Sequence, residues 1–399
     1  MEYDFDTIVP RRGTDCEKWD LPAEDSVLPL WVADMDFRAA PAIVDALRHR
    51  VDEGVFGYAL PPASWHESLV RWLARRHGLK IGPDSVLDAT GVIPALAATI
   101  RAFCEPGDKV IIQPPVYNCF YSIIHAQDCE IVENRLRRIP VPDEAEGDFT
   151  YEIDFEDLER KAADAHAKLL VLSNPHNPAG RAWRTDELWR VGDICRRHGV
   201  FVASDEIHAD LQMPGSRHVP FASLDGDFAQ NSATFWSASK AFNLAGLQCA
   251  AVICANDAVR ASIRRALRAN RTGELNPFGF VASKVAWDEC APWLDALRTY
   301  LHDNYSVLRS FVHDRLPALQ VAKLEATYLA WVDATPLGVP SGEFARRLEQ
   351  EARVKFSPGA IYGEERSAAY LRINLACPRA TLLEALERVA AFIEELKRK

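Results

Sequence analysis

No two cysteines in this 399-residue sequence form a C-x-x-C pair, and the total of nine is odd. They sit in apolar runs such as Ala250–Cys254. That pattern excludes a disulfide or zinc framework and points to buried thiols in a reducing compartment. Basic runs are also missing. Asp and Glu number 57 against 46 Lys and Arg, a net charge of −11, which argues against a dedicated nucleic-acid binder. The longest apolar stretch, near 241–255, is broken by Asn243 and Gln248 and is too short to cross a bilayer. The N-terminus, Met1 to Asp6, is acidic and lacks the cationic and apolar signature of a signal peptide. The expectation is a soluble, cytoplasmic protein without a membrane or nucleic-acid partner. Internal repeats and low-complexity segments are absent too. Apolar material is plentiful: at 48% hydrophobic and 26% charged residues, the chain can build a sizeable core.

The middle of the chain alternates strand and helix signals. Short apolar or β-branched runs at 109–112, 130–133, 168–172, 200–203 and 233–236 read as strands. Thr185 to His198 reads as a helix with Thr185 as its cap, acids in the first turn and Gly199 as its stop. Residues 154–163 form a second amphipathic pattern, and 139–150 reads as a surface loop. Strands alternating with helices argue for an α/β fold with a mostly parallel sheet. Beyond about 285 the pattern becomes α+β: a long helix at 291–319, a strand at 326–332, a helix at 341–351, a strand at 370–375 and a helix at 381–399. Three units are expected: an irregular N-terminal segment 1–45, a large domain 46–285 and a small domain 286–399. In open α/β sheets the functional groups gather at the carboxyl ends of the strands.

Four segments at those ends carry unusual chemistry. Ser173-Asn174-Pro175-His176-Asn177-Pro178-Ala179-Gly180 is a rigid turn after a strand. Asp205-Glu206-Ile207-His208 puts two carboxylates at the exit of a buried strand, where one could face a cationic ligand atom. Ser237-Ala238-Ser239-Lys240 ends a strand in an amine whose burial would free its lone pair for covalent catalysis. Tyr370 to Asn374 sets Arg372 between apolar neighbours, where its fork suits a carboxylate. Each segment alone also fits an ordinary role: a plain loop, a helix cap, a snorkelling surface lysine, an internal salt bridge. Two further segments could contribute. Thr90 to Pro94 opens a helix whose free N–H groups suit a phosphate, and Pro114 to Tyr117 could lay a ring over a flat ligand.

Order and spacing strengthen the signal. Asn177, Asp205 and Lys240 follow one another at intervals of 28 and 35 residues, each after a strand. The full-length pattern resembles the fold-type I pyridoxal-phosphate enzymes of the aspartate-aminotransferase superfamily. Within it, the segments Trp31 to Phe37, Phe56-Gly57-Tyr58, Asp205 to Leu211, Ser239 to Leu247 and Tyr370 to Asn374 resemble the MalY/PatB cystathionine β-lyase branch.

The resemblance implies a large domain with a mostly parallel seven-stranded sheet, a smaller α+β domain and pyridoxal 5′-phosphate as cofactor. It makes Lys240 the attachment point and proton-transfer base. Asp205 would pair with the ring nitrogen, Asn177 and His208 would face the phenolate oxygen, and Tyr117 would stack on the ring. Val92, Ile93, Ser237 and Ser239 would hold the phosphate, joined by Tyr58 of the partner subunit in a homodimer with shared active sites. Arg372 would grip the substrate carboxylate. Many aminotransferases carry an arginine eight positions after the lysine, where this chain has Gln248. Trp31, Asp36 and Tyr328 are guesses for the distal pocket. The implied activity is carbon–sulfur β-elimination on L-cystathionine or S-substituted cysteines, with a class I/II aminotransferase as the alternative. A non-catalytic regulator on this fold is disfavoured, because only about 45 residues precede the large domain and Lys240 and Asp205 are intact.

Overall fold

The computed structural model describes residues 3–22, 24–141, 148–224, 226–363 and 369–398. Its centre is a seven-stranded sheet built from β1 (Val86–Ala89), β2 (Lys109–Ile112), β3 (Glu130–Glu133), β4 (Ala167–Ser173), β5 (Phe201–Asp205), β6 (Ser232–Trp236) and β7 (Ala250–Ile253). The spatial order is β1-β7-β6-β5-β4-β2-β3. All neighbours are parallel except those of β7, which runs antiparallel to both β6 and β1. The central strands β4, β5 and β6 are buried almost throughout, as strands covered by helices on both faces must be. A second sheet of four antiparallel strands joins Gln320–Val321, Leu329–Asp333, Tyr370–Asn374 and Ser357–Pro358 in that order. No helix among the described residues is long and apolar enough to cross a membrane.

Several expectations need correction. The run at 250–253 is a strand, β7, which sequence reading treated only as an apolar setting for cysteine. Four apolar residues carry no signal of strand direction. The stretch 139–150 is not simply a loop, because Arg137–Pro140 and Phe149–Glu152 pair as an antiparallel ribbon. Pro142 and Gly147 lie outside the described residues. Thr185 does not cap its helix. It is the first helical residue, and the Glu187 carboxylate accepts the Arg184 N–H at 2.8 Å instead. The helix does stop at Gly199, whose φ of 69° is a left-handed conformation that glycine adopts without strain. The long helix ends at Arg315 rather than 319, since Pro317 disfavours helical geometry at Leu316. The helix from Ser341 ends at Arg347 and passes into one π turn, Leu348–Ala352.

The N-terminal segment is tied down by a small set of polar side chains. Leu28–Pro29 pairs in parallel with Val354–Lys355. Beyond it, residues 31–37 cross from the four-stranded sheet to the loop that carries Lys240. Asn374, buried in that sheet, donates to the carbonyls of Val32 and Asp34 at 2.6 Å each and accepts from Ala376 N–H at 2.8 Å. On the other side, Asn243 donates to the carbonyls of Met35 and Phe37 and accepts from Met35 N–H. Arg11 pairs with Asp34 and Asp36 at 2.7 Å, and the buried Lys18 pairs with Asp36 at 2.8 Å. Truncation of the side chain would strip this partner from Val32 O and Ala376 N–H and leave Asp34 O only the longer contact of Lys18 Nζ at 3.4 Å. Asn374→Ala is therefore expected to lower stability by about 2–4 kcal/mol. The check is the denaturant midpoint, which should fall with an unchanged slope.

Candidate active site

The carboxyl ends of β4, β5 and β6 open into a cavity of about 330 Å³, within the range of small-molecule sites. Its wall contains Val92, Ile93, Tyr117, Asn177, Asp205, His208, Ser237, Ser239 and Lys240, so nine residues separated by up to 148 positions meet in one space. Arg372 joins this group through Asn177, whose Oδ1 accepts from its Nη1 at 3.3 Å. Tyr58 stands apart, fully exposed on the surface of the chain.

Local chemistry explains how each loop is held. Gly180 closes the Asn-Pro turn at φ 73°, and an added Cβ would lie 2.8 Å from Leu324 Cδ1, so the backbone there requires glycine. Asn177 N–H donates to Ser173 Oγ at 3.2 Å. With its Oδ1 turned to Arg372, its amide N–H groups are available to a ligand oxygen. Beside it, His176 is fully buried and held to about 3 by that burial, so it is neutral and rests against Gln113 O at 3.2 Å. Of the two carboxylates after β5, Glu206 belongs to the scaffold. It accepts from Ser204 Oγ, Phe221 N–H and His218 Nε2 at 2.8–2.9 Å. Asp205 accepts from Ile207 N–H at 3.1 Å and forms no ion pair among the described residues. Burial raises its carboxyl to about 7.

The amine of Lys240 is lowered to about 8, by burial first and then by the nearby Arg372 charge. Its Nζ donates to Ala33 O at 2.7 Å. His208 is pushed well below its ordinary value by burial and by the charges of Lys240 and Arg372. Its imidazole is neutral, and its Nδ1 has no hydrogen-bond partner among the described residues. Arg372 is buried over the Tyr362 ring at 4.7 Å, with Nη2 donating to Trp31 O at 3.0 Å. Its Nε has no partner, and no carboxylate pairs with it among the described residues. A buried guanidinium without a counter-ion is costly, so the site is set up to receive an anion. At the other wall, the helix Val92–Phe103 starts without a side-chain cap and leaves its first N–H groups facing the cavity. Ser237 Oγ donates to Cys249 O at 2.7 Å and lies 2.9 Å from Ser239 Oγ.

The distal-pocket guesses fare differently. Asp36 is not in the cavity wall, because Arg11, Lys18 and Trp19 hold it in a buried cluster. Tyr328 is fully buried and donates to Ala33 O at 2.9 Å, while Trp31 Nε1 donates to Lys18 O at 3.1 Å. The segment of Trp31 and Asp36 reaches the cavity through Ala33 instead, which the motif Trp31 to Phe37 could have flagged only by position. Sequence reading also missed Cys119. It lies near the Tyr117 hydroxyl, which burial pushes up. A half-buried cysteine at the start of the helix Cys119–His125 gives no sequence signal of that proximity.

Comparison with known proteins agrees with this geometry. The family model for aminotransferase class I and II matches residues 26–389. The cystathionine β-lyase PatB of Bacillus subtilis (strain 168) is 41% identical, with 98% of this chain and 99% of PatB aligned. Cystalysin from Treponema denticola, whose crystal structure contains pyridoxal 5′-phosphate, superposes with a TM-score of 0.94 at 34% identity, covering 99% of this chain and 100% of that one. A pyridoxal-phosphate-bound C–S lyase from Staphylococcus hominis gives 0.88 at 31% identity, with 98% of each chain covered. The chain therefore belongs to the class I and II aminotransferase family, in the cystathionine β-lyase branch that includes PatB.

Proposed function

We propose that this protein is a pyridoxal 5′-phosphate-dependent carbon–sulfur β-lyase. It acts on L-cystathionine or S-substituted L-cysteines and, with one water, yields a thiol, pyruvate and ammonia. The observation that carries the lyase reading over the aminotransferase alternative is the 41% identity to PatB across nearly the whole of both chains. The catalytic groups themselves would serve either reaction.

The cavity fits the cofactor on several independent counts. Asp205 is a buried carboxyl without a cation, suited to a protonated ring nitrogen. The uncapped helix and Ser239 suit a phosphate. Asn177 and the neutral His208 can both donate to a phenolate oxygen, and Tyr117 offers a ring face. When bound, the cofactor supplies an aldehyde carbon for covalent attachment and a ring that accepts electrons from the substrate. Val92 and Ile93 would hold its phosphate through main-chain N–H groups, with Ser237 beside them.

The chain's own residues divide the remaining work. Arg372 binds the substrate α-carboxylate through Nε and the terminal nitrogens, releasing Trp31 O. That grip turns Cα–H toward Lys240, whose Nζ removes the proton. Burial keeps much of this amine neutral near pH 8, which a base requires. The carbon–sulfur bond then breaks, and the sulfur leaves as a thiol.

A homodimer is part of this proposal. Val51, Val55, Phe56, Tyr58 and Leu60 are all more than half exposed, an apolar concentration suited to an interface. Tyr58 of the partner subunit would then reach the phosphate.

Three measurements test these assignments. Incubation with L-cystathionine should give pyruvate and free thiol in equal amounts. Absence of pyruvate from every S-substituted cysteine, alongside steady amino-group exchange with keto acids, would instead identify an aminotransferase. Arg372→Lys keeps the charge but loses the fork, so KM should rise on the order of 10- to 100-fold with a smaller change in kcat. Finally, recombination of the apoprotein with cofactor aldehyde requires neutral Lys240. Its rate should climb about tenfold per pH unit and level off near the amine's value of about 8; an ordinary lysine would show no plateau below about 10.4.

A further inference from the structure

The phosphate of the cofactor carries a charge near −2 at neutral pH, with a second ionisation at about 6. The cavity wall offers it Thr90, Val92, Ile93, Ser237, Ser239 and Gln248, joined under the proposed function by the neutral hydroxyl of Tyr58 of the partner subunit. These offer main-chain N–H groups, hydroxyls and one amide, and no lysine or arginine. Lys240 is the single Lys or Arg in the cavity wall among the described residues, and it is committed to covalent attachment. Ser237 is partly used up within the loop, since it donates to Cys249 O. Arg271 is next to Thr272, whose carbonyl accepts Thr90 N–H at 2.8 Å, but its guanidinium is held by Glu274 at 2.8 and 3.1 Å. Gln248 sits at the exposed rim in a left-handed conformation, φ 49°. Hydrogen bonds from a charged donor are roughly twice as strong as neutral ones. A cup of neutral donors is therefore a weak non-covalent anchor.

We propose that this chain holds the cofactor phosphate without a cationic side chain, with the Gln248 amide at the rim, so that retention of the cofactor depends mainly on its bond to Lys240. The inference rests on the proposed function and deepens it. A β-elimination restores the bond to Lys240 in every turnover. Amino-group transfer leaves the cofactor in an amine form that cannot make this bond, and that form is then lost from the protein. The cup thus favours elimination over transfer as a sustained activity.

The test uses the holoenzyme and hydroxylamine. The reagent exchanges with the lysine at the aldehyde carbon: a C=N bond to hydroxylamine replaces the C=N bond to Lys240, the lysine amine is released, and nothing is oxidised or reduced. The oxime remaining with the protein after gel filtration is read by absorbance. The wild type is expected to lose it quickly. Gln248→Arg should hold it at least tenfold longer, which is about 1.4 kcal/mol, and Gln248→Glu should lose it no more slowly than the wild type. Independently, the 31P resonance of the untreated wild-type holoenzyme should move with pH around about 6, and that of Gln248→Arg should stay fixed. Equal retention by wild type and Gln248→Arg overturns the proposal, as does a wild-type resonance that does not titrate, since a cation from elsewhere would then be present. If Gln248→Arg fails to fold, Gln248→Glu and the wild-type 31P titration decide. The visible absorbance of the holoenzyme before treatment tests attachment separately, and its absence would overturn the underlying reading of the site.

Discussion

The low-dielectric surroundings of one amine set the terms for the rest of the site. Lys240 is enclosed by the ends of β5 and β6 and by residues 31–37, and burial brings its amine to about 8. The same enclosure raises Asp205 to about 7 and keeps His208 neutral. Three groups that would be ordinary in water are thereby shifted toward the middle of the pH scale or held in one protonation state. Arg372 adds a positive charge to this interior and has no carboxylate to balance it among the described residues. The site is therefore unbalanced in a defined sense. It presents a buried carboxyl, a buried guanidinium and an uncapped helix end, and none of the three has an opposite charge paired with it among the described residues.

The scaffold sustains that imbalance with neutral contacts. Lys240 donates to a carbonyl, and Arg372 donates to a carbonyl and an amide oxygen. Such partners satisfy hydrogen-bonding capacity without neutralising charge. By contrast, two buried charged groups that serve the fold are paired with opposite charges. Asp36 has Arg11 and Lys18, and Arg181 has Glu187 and Glu325, while Glu206 is held by hydrogen bonds from Ser204, Phe221 and His218. The filling of hydrogen-bond and charge partners distinguishes scaffold from site more sharply than burial does, because both sets are buried.

Much of this was legible in the sequence, for particular reasons. The strands β2 and β3 match the expected runs residue for residue, because short apolar segments flanked by turn residues are strong signals. The helix Thr185–His198 was readable from its terminal glycine and its charge pattern. Asn177, Asp205 and Lys240 stood out because each follows a buried strand, where polar side chains need a purpose. Other features were not readable. β7 runs antiparallel because of its neighbours, not its composition. Asp205 and Glu206 are adjacent acids of the same type, and only the positions of His218 and Phe221 show which one belongs to the scaffold. The contribution of Ala33 is a carbonyl, and every residue except its position would offer the same atom.

That last point bears on how such a site tolerates change. The carbonyl oxygens that meet Lys240 and Arg372 come from the main chain of residues 31–33, so no exchange of side chains can delete them. Their placement depends on the course of the peptide between its anchors at Leu28–Pro29 and Asn243. Length, rather than composition, is the inherited quantity there. Adding or removing a single residue would slide every carbonyl out of phase with its donor, whereas many substitutions would leave the register intact.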